Sequence, residues 1–500
     1  MSITGPGSIT AANVTAQTNM MNQLDTLSQE LGSGEAAQTY SGLGSQAGLA
    51  LALGAQLSDI NGYSSSATTV STTLSVAQSA LSQLGDASSA VQQSVSQQGS
   101  FSLDNSGQTS VQESAASYFG QIVSLLNTQV GTNYIFSGSA LNQPSVANAN
   151  EILNGNGAQA GLTQIVSERQ QADQGTTGLG RLTVGGAGST VTLGADGSPF
   201  GFQLASVNSG LSGATASGPS GTPPSISVAL GSNPAAGNTI EFNLTLPDGS
   251  SQTISLQATT DSSPGTNQFT IGASAATTAA NLRSALTSSI TTLAQTALPA
   301  ASAIAAANGY FGSDPPQIVA GPPYATATSL TSGTAANTVL WYTGENGSTS
   351  ALQTATAQVG PSLTIAYGMR ATEPAITSLL ANVGALAATT FSASDPNAQT
   401  AYQALSQSVV TNLSSQSGTQ SIDDIEANIA NAQTTISNAN TLNTQTQTTL
   451  QDMLQNMEGA NQTQIGEDIL TLQNNLSASM SVTARLAQLS LVNYLAPSSG

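Results

Sequence analysis

Apolar residues recur along this chain at three- and four-residue intervals near its start. Val14, Met21, Leu24 and Leu31 fall on one stripe, with Gln17 and Ser28 as polar interruptions. A glycine-containing stretch, LGSGEAAQTYSGLGSQAG, breaks the pattern. It resumes with Leu53, Leu57 and Ile60. Val70, Leu74, Ala77, Leu81, Leu84, Val91 and Val95 then keep the 3-4 spacing, with Ser88 completing the phase. Spacing of this kind predicts amphipathic helices. A further helix is predicted over 111–129, with Ala115, Tyr118, Ile122 and Leu125 inward.

From about Ser362 the far end mirrors the near one. In SIDDIEANIANAQTTISNANTLNTQTQTTLQDMLQNMEG, Ile422, Ile425, Ile429, Ala432, Ile436 and Ala439 hold a/d heptad spacing. Leu450, Met453 and Met457 share that phase after polar Asn443 and Thr446. Ser421 opens this helix, and Asp423 and Asp424 sit in its first turn, where acids complement the helix dipole. Gly459 interrupts it. A helix over 421–459 would be about 58 Å long at ~1.5 Å per residue, and its seam must be buried against partner helices. A second stripe, Ile465, Ile469, Leu472 and Leu476, then shifts phase toward Met480. An intramolecular bundle would also carry such stripes. Their placement at both chain ends, with everything non-helical between them, favours long antiparallel helices from the two ends.

The middle, about 151–355, is rich in Gly, Pro, Ser and Thr. RLTVGGAGSTVTLG, NTIEFNLTLPDGSSQTISLQAT and NQFTIGAS alternate as strands do. Pro247-Asp248-Gly249 between two alternating runs predicts a hairpin. TTAANLRSALTSSITTLAQTALPAA predicts one or two helices. The fold class is therefore mainly α with an α+β insertion: a coiled-coil rod from the two ends and a central domain rich in β-strands.

Charge narrows the partners. Five Arg, no Lys and 25 acids give a net charge of −20. The phosphate attraction behind nucleic-acid affinity has almost no cations to supply it, and anionic lipid is disfavoured for the same reason. No run approaches the ~20 apolar residues of a membrane span. Neither nucleic acid nor membrane insertion is expected. The opening MSITGPGSITAANV has no positive residue and no continuous apolar core, so a Sec-type signal is not expected.

Candidate chemistry is thin. The chain has no Cys and no His, which removes Ser-His-Asp triads, Cys-His pairs and His-based zinc sites. The Asp423-Asp424 pair fits a helix start better than catalysis. GLGSQAG lacks the Lys of a phosphate loop, and DGSSQ and GADGS lack the repeated acids of a calcium loop. No catalytic residue, metal site or cofactor is expected, and no enzyme. Arg169, Arg181, Arg283, Arg370 and Arg485 are so few that each is a candidate for a specific contact.

Three local runs carry a resemblance to a known family. LLNTQVGTNYIFSGSALNQPSV resembles the segment of the bacterial flagellin superfamily where the second long helix ends and a β-hairpin begins. LWYTGENGS followed by LTIAYGMRATEPAITSLLANV resembles the return into the C-terminal arm. The ending ARLAQLSLVNYL is more similar to the hook–filament junction branch, that of hook-associated protein 3, than to filament flagellin.

The resemblance implies a structural subunit of the bacterial flagellum, outside the cell. It would be exported unfolded by the flagellar export apparatus, with an export chaperone. Its partners would be copies of itself in a helical array, a hook-associated protein and flagellin. The alternatives are filament flagellin and, from another class, an adhesin acting through the central domain.

It further implies terminal coiled-coil arms at 1–45 and 460–500, a helical rod at 46–150 and 356–459 with a β-hairpin near 134–146, and a variable outer domain at 151–355. The assembly residues would be Met21, Leu24, Leu31, Leu74, Leu81, Leu84, Ile422, Ile425, Ile429, Ile436, Leu450, Met453, Met457, Ile469, Leu472 and Leu476. At the joint, Gly131 would end the helix, Tyr134 and Phe136 would point the same way on a short strand, and Gly138 would allow the turn.

Overall fold

A computed structural model describes residues 6–37, 39–97, 100–345, 347–414 and 418–494. The chain opens with α1 (Pro6–Ser33), a 3-10 segment Tyr40–Gln46, α2 (Ala47–Ser96) and α3 (Ser110–Leu126). Two very short strands follow, β1 (Gln129–Val130) and β2 (Asn133–Tyr134), then α4 (Ala149–Asn154) and α5 (Leu162–Gln174). The middle holds β3 (Leu182–Gly185), β4 (Thr190–Ala195), β5 (Gln203–Ser209), β6 (Ala214–Ser220), β7 (Ser225–Leu230), β8 (Thr239–Thr245), β9 (Ser251–Thr259) and β10 (Gln268–Thr270). Next come α6 (Ala275–Gln295), α7 (Ala297–Phe311), β11 (Gln317–Val319), β12 (Leu330–Ser332), β13 (Thr356–Gly360) and β14 (Leu363–Ala366). The order closes with α8 (Pro374–Ala388), α9 (Ala398–Leu413), α10 (Ile422–Glu458) and α11 (Gln462–Tyr494). Long helices thus flank a β-rich centre.

Contacts divide the chain into two compact units. One holds Met1–Thr69, Gln358–Ile365 and Thr434–Gly500, the other Val70–Ala357 and Ala366–Gln433. The divisions fall inside α2 and α10, whereas the expected limits at 45/46 and 459/460 lie at the ends of those helices. The second unit also keeps the middle strands together with α3, α8 and α9.

In the first unit α1 runs antiparallel to α11. Gln17 meets Ser479 and Thr483, while at the other end Ala460 N donates to Gly34 O at 2.9 Å. Along α11 the covered positions are Ile465, Ile469, Leu472, Leu476, Ser479 and Thr483. The phase does not shift to Met480, which is 48% exposed; hydroxyls continue the seam instead. On α1 the covered positions are Asn13, Gln17, Met20, Leu24, Leu27 and Glu30. Leu24 lies where the stripe predicted, but Met21 and Leu31 are 46% and 39% exposed. Met20 takes the inward position, and one residue is ~100° of helix rotation, so Met21 is carried to the flank.

Leu53, Ile60 and Leu450 form the other apolar cluster of this unit, with Leu57, Tyr63, Leu454 and Met457 packed on it. Met453 is exposed, and Leu454 takes its place in the seam. Polar Asn443 is buried and donates to Val359 O at 2.9 Å.

In the second unit, β3-β4-β7-β6 and β10-β9-β8-β5 form two four-stranded sheets. Their pairings are antiparallel except β10 with β9. Pro247-Asp248-Gly249 turns the β8–β9 hairpin, with Gly249 at φ 85°. Val228, Phe242, Leu244 and Leu256 pack with Leu282, Leu286 and Ile290 of α6 in one core. The strands β5 and β6 escape the sequence reading because QLASVNS and ATASGPS carry little apolar alternation, whereas SISVAL of β7 does alternate and is short enough to pass unnoticed in this Ser- and Gly-rich stretch.

Helices α3, α5, α7, α8 and α9 pack together in the same unit. The scarce aromatics concentrate there, Phe311 lying 5.0 Å from Tyr310, 5.4 Å from Trp341 and 6.0 Å from Phe119, centroid to centroid. Leu74, Leu81 and Leu84 of α2, and Ile425 and Ile429 of α10, are buried; Ile422 is half-buried. On α3, Phe119 and Ile122 are buried while Tyr118 and Leu125 are half-buried. No single described helix is long and apolar enough to cross a membrane.

Candidate functional site: the terminal helix pair and the corner after the third helix

The corner begins with a well-anchored α3. Thr109 caps its start in a reciprocal box with Gln112, and the Gln112 amide also donates to Leu386 O and Thr389 O at 3.0 and 2.7 Å. The helix stops at Leu126, ahead of Gly131. Asn127 ties the end to a later segment: its side-chain amide donates to Val146 O at 2.9 Å and its side-chain carbonyl oxygen accepts from Val146 N at 3.0 Å.

The hairpin turn therefore falls at Gly131 (φ 64°) and Thr132, between β1 and β2, earlier than the expected 134–146. Tyr134 ends β2 and is half-buried. Phe136 lies beyond the strand and is fully buried, beside buried Ile135. Ser137 and Gly138 start a second, longer-range attachment rather than the hairpin turn itself.

That attachment reaches across the sequence. Phe136 O accepts from Ala371 N at 2.9 Å, Gly138 N donates to Met369 O at 3.0 Å, and Ser137 O accepts from Glu345 N at 2.8 Å. An ion pair between Arg370 and Glu345 closes over Gly138. Arg370 also donates to Gly347 O at 3.0 Å and Thr349 O at 2.6 Å. Gly138 has φ 66°, and a Cβ there would lie 2.9 Å from Glu345 Oε2 and 3.2 Å from Arg370 Nε. The backbone conformation favours glycine, and a Cβ would press on the ion-paired side chains. Beside it, burial pushes the Tyr342 hydroxyl up to about 12.

Sequence reasoning found Phe136 and Gly138 and marked Arg370 for a specific contact, but it did not find the partner, Glu345. The rarity of arginine was the available signal. Other arginines behave alike. Arg169 pairs with buried Asp173 at 2.8 Å, and Asp173 accepts from Gly201 N at 2.8 Å. Burial pushes the Asp173 carboxyl up, opposed by the Arg169 charge. Arg181 binds Asp196 at 3.0 Å and Ala327 O at 2.8 Å. Both guanidiniums lie over the Phe200 ring, at 5.1 and 5.5 Å. These are braces between segments distant in sequence.

The second candidate region is the α1/α11 pair. Gln17 donates to Thr483 Oγ1 at 2.9 Å and Ser479 Oγ at 3.3 Å. Outside the seam, Val14, Met21, Leu470, Met480 and Val482 are 46–62% exposed. An open groove of about 490 Å³ runs beside it, with Leu27 and Leu472 among its lining. Among the described residues, no group of acids is placed to hold a metal.

Braced corners and uncovered apolar flanks are the equipment of a structural subunit. Residues 8–140 match the family model of the bacterial flagellin N-terminal helical region. The matched span covers α1, α2 and α3 and ends just past Gly138. The match spans about a quarter of the chain, and over that part it supports the flagellin superfamily and a flagellar structural subunit. No curated protein matches the chain.

Proposed function

We propose that this chain is an axial subunit of the flagellum, exported unfolded and assembled at the hook–filament junction, between a hook-associated protein and flagellin. The observation that carries the axial role is the apolar flank of the α1/α11 pair. Apolar side chains left uncovered along both terminal helices mark an interaction surface, and a non-closing contact between copies builds an array. In this reading the stripes of α2, α10 and α11 form a coiled-coil rod, and the 131–138 corner sets how the central domain leaves it. The ending ARLAQLSLVNYL supports the junction placement; it runs past the described residues, and so does part of LWYTGENGS.

Deleting the gene tests this. Cells should keep their hooks and shed flagellin into the medium; filaments that stay attached would end the junction assignment. A second reading is filament flagellin, which the matching family model fits equally well. Purified protein separates the two: a filament flagellin polymerises alone into long filaments, whereas a junction subunit stops at a few short layers.

A further inference from the structure

Asp468, Thr471, Asn475, Ala478, Val482 and Arg485 follow one another on α11 at spacings of three and four, and all are exposed. They form a stripe beside the α1 seam, and Asp468 and Thr471 line the open groove next to it. The stripe is acidic at one end and basic at the other. Arg485 is the only basic residue in the sequence of its unit, whose other charged side chains are all acids. It forms no ion pair with any described residue. By contrast Arg169, Arg181 and Arg370 are ion-paired, and Arg283 donates to Thr190 O at 2.8 Å.

We infer that this stripe docks on a second copy of the chain, with Arg485 of one copy against Asp468 of the next. The inference rests on the axial-subunit reading and names the contact within it. Asp468 and Arg485 are separated by about 25 Å of helix at ~1.5 Å per residue, so they cannot pair within one α11. A parallel copy displaced along the helix by that length, and turned about it so that the two stripes face, brings them together. Each such contact leaves a free Asp468 at one end and a free Arg485 at the other. It is heterologous and propagates. Charge complementarity selects the partner: in a unit of like charges, contacts between copies repel unless they include the one cation.

The chain has no cysteine, which makes cross-linking clean. A full-length D468C/R485C variant, expressed in cells lacking the native gene, is treated in isolated flagella with a short bis-maleimide. A ladder of dimers, trimers and higher multimers is expected. Monomer alone, or dimer alone (an isologous antiparallel contact), would overturn the inference. Charge reversal gives the second arm. D468R and R485E should each lower the amount assembled by about two- to fivefold, the range of an exposed ion pair, and the D468R/R485E double should restore it. A double no better than the singles sinks the pairing. If the unaltered chain is missing from isolated flagella, the axial reading itself fails, which neither variant result would imply.

Discussion

At Phe136 and Gly138 side-chain size decides the fit. Phe136→Ala removes a fully buried ring and should cost about 3–5 kcal/mol, measured by chemical denaturation of the full chain. An unchanged midpoint would show that the corner does not depend on it. A subtler case is Glu426. Burial, then the like charges of Asp423 and Asp86, raise its carboxyl above the ordinary value of 4.5. The charged form therefore costs stability above the folded pKa, and the cost disappears as pH falls toward the unfolded value. Glu426→Gln should raise thermal stability at pH 7, by under about 1 kcal/mol because the half-buried carboxylate is still screened by solvent. The two proteins should melt alike below about pH 4. A benefit that persists in acid would implicate something other than charge.

Among the elements, α10 shows what a heptad pattern can and cannot tell. Ile425, Ile429, Ile436 and Leu450 are buried as their spacing requires. Ile429→Asp would place an unpaired charge in that stripe at a cost of several kcal/mol. Motility should fail while the chain is still secreted, and normal swimming would mean the stripe tolerates water. The same pattern did not foresee exposed Met453, because the cluster around Leu450 takes Leu454 and Met457 instead. It misplaced Met21 and Leu31 because on a sparse stripe Met20 and Leu27 offer an equally apolar face, and only the neighbouring helix chooses. The β8–β9 hairpin was legible because Pro-Asp-Gly acts locally. The Glu345–Arg370 brace was not, since nothing near either residue in sequence announces a contact 25 positions away. The seam's polar end was visible at Gln17, but its hydroxyl partners were not.

For the molecule as a whole, the absence of Lys and the fate of the arginines give a simple assay. Arg181, Arg283 and Arg370 make hydrogen bonds to other segments, Arg169 pairs with Asp173 on its own helix and lies over the Phe200 ring, and Arg485 is exposed. Brief trypsin treatment of the folded chain should cut first after Arg485; early cleavage at Arg169 or Arg370 would contradict the braces described above. The Gln17–Ser479–Thr483 contacts have a consequence of their own. Toward the chain ends the helix pair passes from packed leucines to an amide between two hydroxyls, and water can replace those bonds at little cost. The pair should therefore behave as a wet zipper, fraying from the tips inward. Amide hydrogen exchange in the isolated subunit should be fast near Gln17 and Thr483 and slow near Leu27 and Ile465. Copies packed beside it would extinguish that gradient, so exchange at the tips reports whether a subunit has neighbours.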